Sequence, residues 1–588
     1  MAQPHDNPAS TLWRQPLWLA ALALLMGAAI AARAWINFGS VVPPGMDAGY
    51  YAVQARSLLE HGRLQWSDVP LVFALDAALA KLAMLTCGWS VDQATMWSTR
   101  VVDSVAQPLV ACVIFAATFV WSGGRRNALP AAIAAAAVAT LSAPVLRMTG
   151  DFEKQSMAMV FMAAAWVGTA RALASTTRGE ALRRGALALA LLALTALSHA
   201  GTFGAAALGV GLTMVAWAMR GGVSRAQLVR ATVAALVLGV LMLGAVWLLA
   251  PTKANALMQA PMKLFGSGGP GGGMGAMPPM PGGMGGPGGM RGRGGPPGLA
   301  HLGTIAWFAG LIVVGFALRW AIRQSRVGSG NTRTTRADVA LAIGLTLTAA
   351  FLTLPLLSPD YGMRLSIMAP VPLALVLAYL LSMRGAAGTV VRGWRAAVSP
   401  MLCGVVFVAS IASGAVAGRG PMGMQLVSAD GLAELCRWRD EVNTGGPIVV
   451  AARHGVEFWA AFGLDCDARL ERLKATDFDR YKRLYVLVQK RGGGMRQMRA
   501  SPDGDMPPDM DMPPDDDDRP PPPRGMRGPP GMGGPMTRIP DGATIVKDGE
   551  WFTLYEVPAS ARAQIEAEAN QPEQAASPRG RNGRRPQR

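Results

Sequence analysis

The apolar residues of this chain come in unbroken blocks about twenty residues long, and that feature constrains the fold more than any other. A helix of that length crosses the hydrocarbon of a bilayer, whereas a soluble core asks for apolar residues only on one face of each element. The blocks lie near 17–37, 103–121, 128–146, 155–174, 184–200, 201–219, 228–250, 301–321, 337–357, 366–383 and 396–416. Composition agrees, with 51% hydrophobic and only 16% charged residues in a chain of 588 and a mean hydropathy of +0.28. The expected fold is a mainly α, polytopic membrane bundle of about 11 transmembrane helices, with a small α/β domain at its C-terminal end. A soluble globular enzyme is excluded.

A further block, 69–86, carries Asp76 and Lys81 inside it, so composition does not settle whether it crosses. Charge does. If the N-terminus is cytoplasmic and 69–86 stays on the outer side, every Arg-rich short loop falls inside. These loops carry Arg125 and Arg126, then Arg178, Arg183 and Arg184, then Arg220, Arg225 and Arg230, then Arg323, Arg326, Arg333 and Arg336, then Arg384, Arg392 and Arg395. Letting 69–86 cross reverses this and breaks the positive-inside bias, so it is expected to be a re-entrant or interfacial piece of the first outer loop. The formal charge of +18 is thus a topology signal, and no nucleic-acid partner is expected. The implied location is the inner (cytoplasmic) membrane, multi-pass, with the C-terminal domain and the active face on the outer, periplasmic side.

The expected organisation is a transmembrane domain over 1–420, with a first outer loop at 39–102 that contains a surface helix, and a periplasmic α/β domain over 421–558. In that domain Pro447–Arg453 and Arg483–Lys490 read as buried strands, and 544–557 reads as a hairpin turning at Asp548-Gly549. Seventy Gly and 42 Pro are too many for helices alone, and most of the excess falls in two windows, 266–298 and 491–540, which cannot bury enough apolar surface to fold. The tail at 559–588 is expected to be disordered too. Methionines of the first tract, such as Met274, Met277 and Met280, are soft ligands that would suit Cu(I), although a flexible linker needs none of them. The five cysteines have no metal-ligand spacing, and only Cys436 with Cys466 is left open as a pair.

The same parity gathers acidic and aromatic residues on the outer side: Asp47 with Tyr50 and Tyr51, the run Gly150-Asp151-Phe152-Glu153-Lys154, and Asp360-Tyr361 with Arg364. Ionisable groups at the ends of membrane helices are costly unless they face a cavity or a partner, which makes them functional candidates. Met46–Leu64 reads as an amphipathic helix lying on the membrane surface, with Asp47 at its start and Gly62 at its end. Plainer roles exist for each of these. Asp47 and Asp151 stand where Asp caps a helix, Glu153 complements a helix dipole, and Arg364 suits an interfacial anchor.

In this arrangement the chain resembles the GT-C superfamily of integral-membrane glycosyltransferases, which includes protein mannosyltransferases, aminoarabinose transferases and oligosaccharyltransferase catalytic subunits. The likeness covers roughly residues 15–420. It rests on Asp47, Tyr50 and Tyr51 opening the first outer loop, on Asp151-Phe152-Glu153 in the next, and on Arg364 ahead of the Pro-containing run to Pro372. The chain lacks the WWDYG motif of oligosaccharyltransferases, which disfavours transfer to Asn sequons. The resemblance implies an inverting transfer of a sugar from a polyprenyl-phosphate donor to a lipid, glycan or protein acceptor. It implies Asp47 as general base, with Asp151 and Glu153 orienting the acceptor or holding a divalent cation (Mg or Mn). Tyr50, Tyr51, Asp360 and Tyr361 would bind substrate, and Arg364, Arg147 and Lys154 would hold the lipid phosphate. Two rival classes are a transporter or flippase for a polar lipid and a Met-rich copper-handling membrane protein. The first predicts charges near the middle of the spans, of which the sequence has few.

Overall fold

The computed structural model describes residues 15–222, 333–354, 359–384, 394–419, 425–490 and 539–570, together with scattered positions between 223 and 320. Apart from those scattered positions the blocks expected at 228–250 and 301–321 lie outside the described residues, as do the window 266–298, the window 491–540 but for 539 and 540, and residues 571–588 of the tail. The chain divides into two compact units, one holding the apolar helices and one made chiefly of residues from Met424 onward.

The helical unit begins with α1 (Pro16–Phe38), α2 (Ala48–His61), α3 (Leu71–Cys87) and α4 (Val91–Ala106), which runs through a short turn into α5 (Val110–Ser122). It continues with α6 (Leu129–Leu141), α7 (Ala143–Leu146), α8 (Glu153–Ala174), α9 (Arg178–Ser198) and α10 (Ala200–Trp217). The later helices are α11 (Arg333–Leu352), α12 (Pro359–Ser366), α13 (Pro370–Arg384) and α14 (Trp394–Arg419). Among the described residues six helical stretches are long and apolar enough to cross a membrane: Pro16–Phe38, Val91–Ser122, Glu153–Ala174, Arg178–Ser198, Ala200–Arg220 and Arg364–Ser382. The chain is a multi-pass membrane protein. The expected span at 128–146 is interrupted, because Ser142-Ala143-Pro144 restarts the chain as the short α7.

Packing follows residue size. Helix α6 (LPAAIAAAAVATL) is buried along nearly its whole length and packs on α5, α13 and α14. Its alanines let neighbouring backbones approach closely, which is how helices associate where lipid offers no hydrophobic drive. In α1 the buried residues Trp18, Leu22, Leu25, Ala29 and Arg33 recur at helical spacing, while Leu24 and Trp35 are exposed on other faces. Trp18 meets Phe119 of α5 edge-on at 5.2 Å between ring centres.

Two expectations about the first outer loop meet the structure differently. Block 69–86 forms α3, which is not among the long apolar spans; it packs against α2 and α4. Helix α2 ends at Gly62 in the left-handed region, as its sequence implies, but it does not lie on a surface. Ala48 and Gly49, Tyr51 through Ser57 are all buried, because α3 and α4 cover it. Its polar residues pair inside that sandwich: Arg56 with Asp92 of α4 at 3.1 Å, and Gln54 with the Trp66 backbone at 2.9 and 3.1 Å.

The second unit is a five-stranded sheet in the order β2-β1-β3-β5-β4. Strands β1 (Ile448–Ala452), β2 (Asp467–Leu470) and β3 (Arg483–Gln489) are parallel, and the hairpin β4 (Thr544–Asp548) and β5 (Phe552–Glu556) adds antiparallel strands to β3. Helices α15 (Ala429–Val442), α16 (Val456–Leu464), α17 (Asp477–Arg480) and α18 (Arg562–Asn570) complete it. The buried Glu434 carboxylate of α15 accepts N–H bonds from Glu550, Trp551 and Phe552 and so pins the hairpin turn. No disulfide joins Cys436, which is exposed, to Cys466, which is buried, so the pairing left open by the sequence is not made.

Candidate active site

The acidic loops converge where α8 begins. A Cβ on Gly150 (φ +87°) would overlap the Pro44 carbonyl, and one on Gly45 (φ +110°) would overlap the Asp151 carboxylate. Only glycine allows both the backbone conformation and the contact, so the two loops interlock there. The interlock carries Asp151 to the start of α2, where its Oδ1 accepts the backbone N–H of Met46 and, at 3.1 Å, that of Asp47. Asp47 itself forms no side-chain capping bond to α2, and the N-cap of α8 is Phe152 rather than Asp151. The residue that serves the start of α2 is thus Asp151, from the other loop. Burial, then the charge of Asp47, pushes the Asp151 carboxyl up to about 6, against the pull of those two N–H bonds. Asp47 is half-buried at the rim of this group.

Beneath lies a network that fixes the loops to the bundle. Arg33 and Asn37, one turn apart on α1, both reach Asp103 of α4. The Arg33 guanidinium donates to Asp103 Oδ1 at 2.7 Å, to the Asp103 carbonyl at 2.9 Å, to the Val145 carbonyl at 3.2 Å and to Ser156 Oγ at 3.3 Å. Asn37 donates to Asp103 Oδ2 at 2.8 Å, and the Gly150 N–H reaches the same oxygen at 2.9 Å. Arg33 is 0% and Asp103 2% exposed, so this pair is wholly inside protein. The sequence shows Arg33 only as a charge within an apolar block, and Asp103 only as the first residue of another. Their pairing is what such a burial requires.

The substrate-binding candidates sort into two groups. Lys154 forms an ion pair with the buried Asp68 and lies over the Tyr50 and Phe73 rings at 5.0 and 5.4 Å. Tyr50 donates its hydroxyl to the same Asp68 at 2.5 Å, and Tyr51 donates to the Asp151 carbonyl at 3.3 Å. Each of these three side chains has a partner within the protein, and for Lys154 and Tyr50 that partner is Asp68, which the sequence does not mark. A cleft of about 330 Å³ lined by Leu64, Ser67, Asp68 and Pro70 opens beside it. By contrast Arg147 and Arg364 are exposed, and the Arg364 carbonyl accepts a bond from Gln155 of α8 at 3.2 Å, which ties α12 to the first turn of α8. Asp360 and Tyr361 belong to α12, but their side chains lie outside the described residues.

The residues considered for a divalent cation do not fit one. Asp151 gives Oδ1 to backbone N–H groups, Glu153 is 1% exposed, and no group of three or more His, Cys, Asp or Glu suited to a metal occurs among the described residues. His199 caps α10, its Nδ1 accepting the Thr202 N–H at 3.1 Å, which is a structural role.

No protein-family model matches the chain, and no curated protein matches it. Solved structures of ArnT from Cupriavidus metallidurans are similar to it, one in the apo state and one bound to undecaprenyl phosphate. Each is 12% identical in sequence over 94% of this chain and 99% of the other, with TM-scores of 0.45 and 0.46. A likeness of that size carries no weight for family or chemistry, which have to be read from the residues above.

Proposed function

We propose that this protein is a membrane glycosyltransferase of the GT-C kind, moving a sugar from a polyprenyl-phosphate carrier to an acceptor hydroxyl at the end of the bundle where α8 begins. The observation that carries the reading is the joining of Asp47 and Asp151 across two interlocked loops, with exposed arginines on the neighbouring segments. The Arg-rich connections Arg125-Arg126 and Arg178 to Arg184 stand at the opposite ends of their helices, so the positive-inside bias puts the acidic end outside, in the periplasm of an inner-membrane protein.

In this mechanism the acceptor oxygen attacks the anomeric carbon in a single inverting displacement. Asp47 takes the proton from the acceptor hydroxyl as the new C–O bond forms. The bond from the anomeric carbon to the phosphate oxygen breaks, and the phosphate leaves with the electron pair. Asp151 holds the backbone of Asp47 in place through its N–H and acts as a positioning residue. Arg364, with Arg147, meets the phosphate, since a guanidinium offers two parallel donors and stabilises the charge that develops on the leaving group. Lys154 is left out of this step because Asp68 already holds it.

The test is Asp47→Asn in a reconstituted transfer assay with a polyprenyl-phosphate sugar. The change is isosteric, so the melting temperature should stay near that of the wild type. Transfer should fall by roughly a hundredfold or more, since a general base contributes about 10² to 10⁴ in rate, while polyprenyl phosphate still binds. Arg364→Ala should instead weaken that binding. Near-full transfer by Asp47→Asn would sink the assignment of the base.

A further inference from the structure

One face of helix α15 and the turn of the β4–β5 hairpin enclose a cleft of about 580 Å³ that the transfer step does not use. Its size falls within the roughly 300–1,000 Å³ typical of ligand sites. Asp430, Glu434, Arg437, Trp438 and Glu441 recur at helical spacing along α15, and Gly549, Glu550 and Trp551 of the turn face them. Bonds within the second unit fix these walls. The Glu434 carboxylate accepts the N–H bonds of Glu550, Trp551 and Phe552, and a Cβ on Gly549 would overlap it, so the turn sits flush on the helix. Glu441 forms an ion pair with Lys547 of β4, and Lys490 of β3 donates to the Gly549 carbonyl at 2.8 Å. The cleft is preformed, which lowers the cost of ordering it around a ligand.

Four side chains in it are uncommitted. Among the described residues Asp430, Arg437, Trp438 and Trp551 make no side-chain hydrogen bond, ion pair or ring contact. Asp430 and Arg437 are exposed, and the two indoles are half-buried. Trp66, Trp89 and Trp97 are half-buried too, but each of those meets another ring.

These four groups define a ligand by their chemistry. An indole offers a broad apolar face and one N–H donor, a carboxylate only accepts, and a guanidinium only donates. A sugar ring has an apolar C–H face that lies flat on an indole, and its hydroxyls both donate and accept, so it answers all four. A lipid chain would leave the carboxylate and the guanidinium without partners. Charge narrows the class further. The acids that line the cleft outnumber Arg437 and repel an anion, while Arg437 itself opposes a cation. We propose that this cleft binds a neutral saccharide, stacked on Trp438 and Trp551, with its hydroxyls bonded to Asp430 and Arg437. The site lies wholly within the second unit and does not rest on the transfer reading.

The test is binding of the full-length protein to immobilised oligosaccharides, some neutral, some carrying uronic acids and some carrying free amines. The protein is held in lipid nanodiscs, because sugar-headed detergents would compete for the cleft. Neutral oligosaccharides should be bound, and Trp438→Ala and Trp551→Ala should each weaken that binding by about tenfold or more. Asp430→Ala and Arg437→Ala should weaken it by about tenfold, since each strips a charged partner from a hydroxyl. These two residues are exposed, so their variants should melt near the wild-type temperature and keep the test valid even where a Trp variant fails to fold. Binding of charged oligosaccharides alone, or of none, would overturn the proposal. So would neutral binding that stays within about twofold of the wild type in both Asp430→Ala and Arg437→Ala, which would place the saccharide elsewhere on the molecule.

Discussion

The two ends of helix α8 handle buried charge in opposite ways. Where α8 finishes, Asp338 of α11 meets one cation and one neutral donor: Arg171 at 3.2 Å and the Trp121 indole N–H at 3.1 Å. Charge is matched one for one in the Asp338–Arg171 pair. Where α8 begins, the carboxyls of Asp47, Asp68, Asp76, Asp103, Asp151 and Glu153 gather, with Arg33 paired to Asp103 and Lys154 to Asp68. The surplus is held in part by backbone N–H groups at Asp151 and Asp103 and by the Tyr50 hydroxyl at Asp68. A matched pair is what helix packing needs. A surplus of acid, with exposed arginines Arg147 and Arg364 on adjoining segments, is what proton removal beside an anionic leaving group needs. Both arrangements are buried, so burial alone does not mark the site.

The largest expected effect that tests this contrast is at the shared foundation of the acidic end. Asp103→Ala leaves the Arg33 guanidinium buried without its carboxylate and strips a partner from Asn37 and from the Gly150 N–H. Thermal melting in detergent should show a loss of about 3–5 kcal/mol, as for other broken buried pairs. A loss under about 1 kcal/mol would mean that the network is wet and the contrast overstated.

Asp338→Ala should cost less, about 1–3 kcal/mol, because its carboxylate and the Arg171 guanidinium are less completely enclosed, with side chains 12% and 19% exposed. Transfer per folded molecule should stay at the wild-type level. A large fall in transfer without loss of fold would show that the matched end also serves the reaction.

The smallest effect concerns Asp151. Its folded value of about 6 lies above the ordinary 3.8, so the folded protein holds more protons between those limits. Its contribution to stability is therefore greatest in acid and is lost as pH rises through about 6. Melting curves of Asp151→Asn should show a shallower decline over that window. An unchanged slope would mean that Asp151 titrates like an exposed carboxyl and that the interlock of the loops is open.

Much of the fold can be read directly from residue order. Block length gives the spans, because a helix in lipid must bond its whole backbone internally and needs a fixed number of apolar residues to cross. The hairpin turning at Asp548-Gly549, the strands at Ile448–Ala452 and Arg483–Gln489, and the end of α2 at Gly62 follow from local rules of turn and pattern. At the site, Asp47 and Asp151 stand out because an acid beside a membrane helix needs a reason. Tertiary structure alone decided how they are joined, since the bond from the Asp47 N–H to Asp151 spans residues far apart in sequence and depends on two glycines meeting. It also decided which charges are spent. Lys154 and Arg364 look alike as candidate phosphate holders in the sequence, yet Asp68 takes the first into the interior and leaves the second exposed. The apolar pattern placed α2 on a surface, and the cover of α3 and α4 buried it, because amphipathicity tells a helix which side to hide but not what else will pack on the other. Local order fixes which residues are costly, and only three-dimensional neighbours determine how each cost is met.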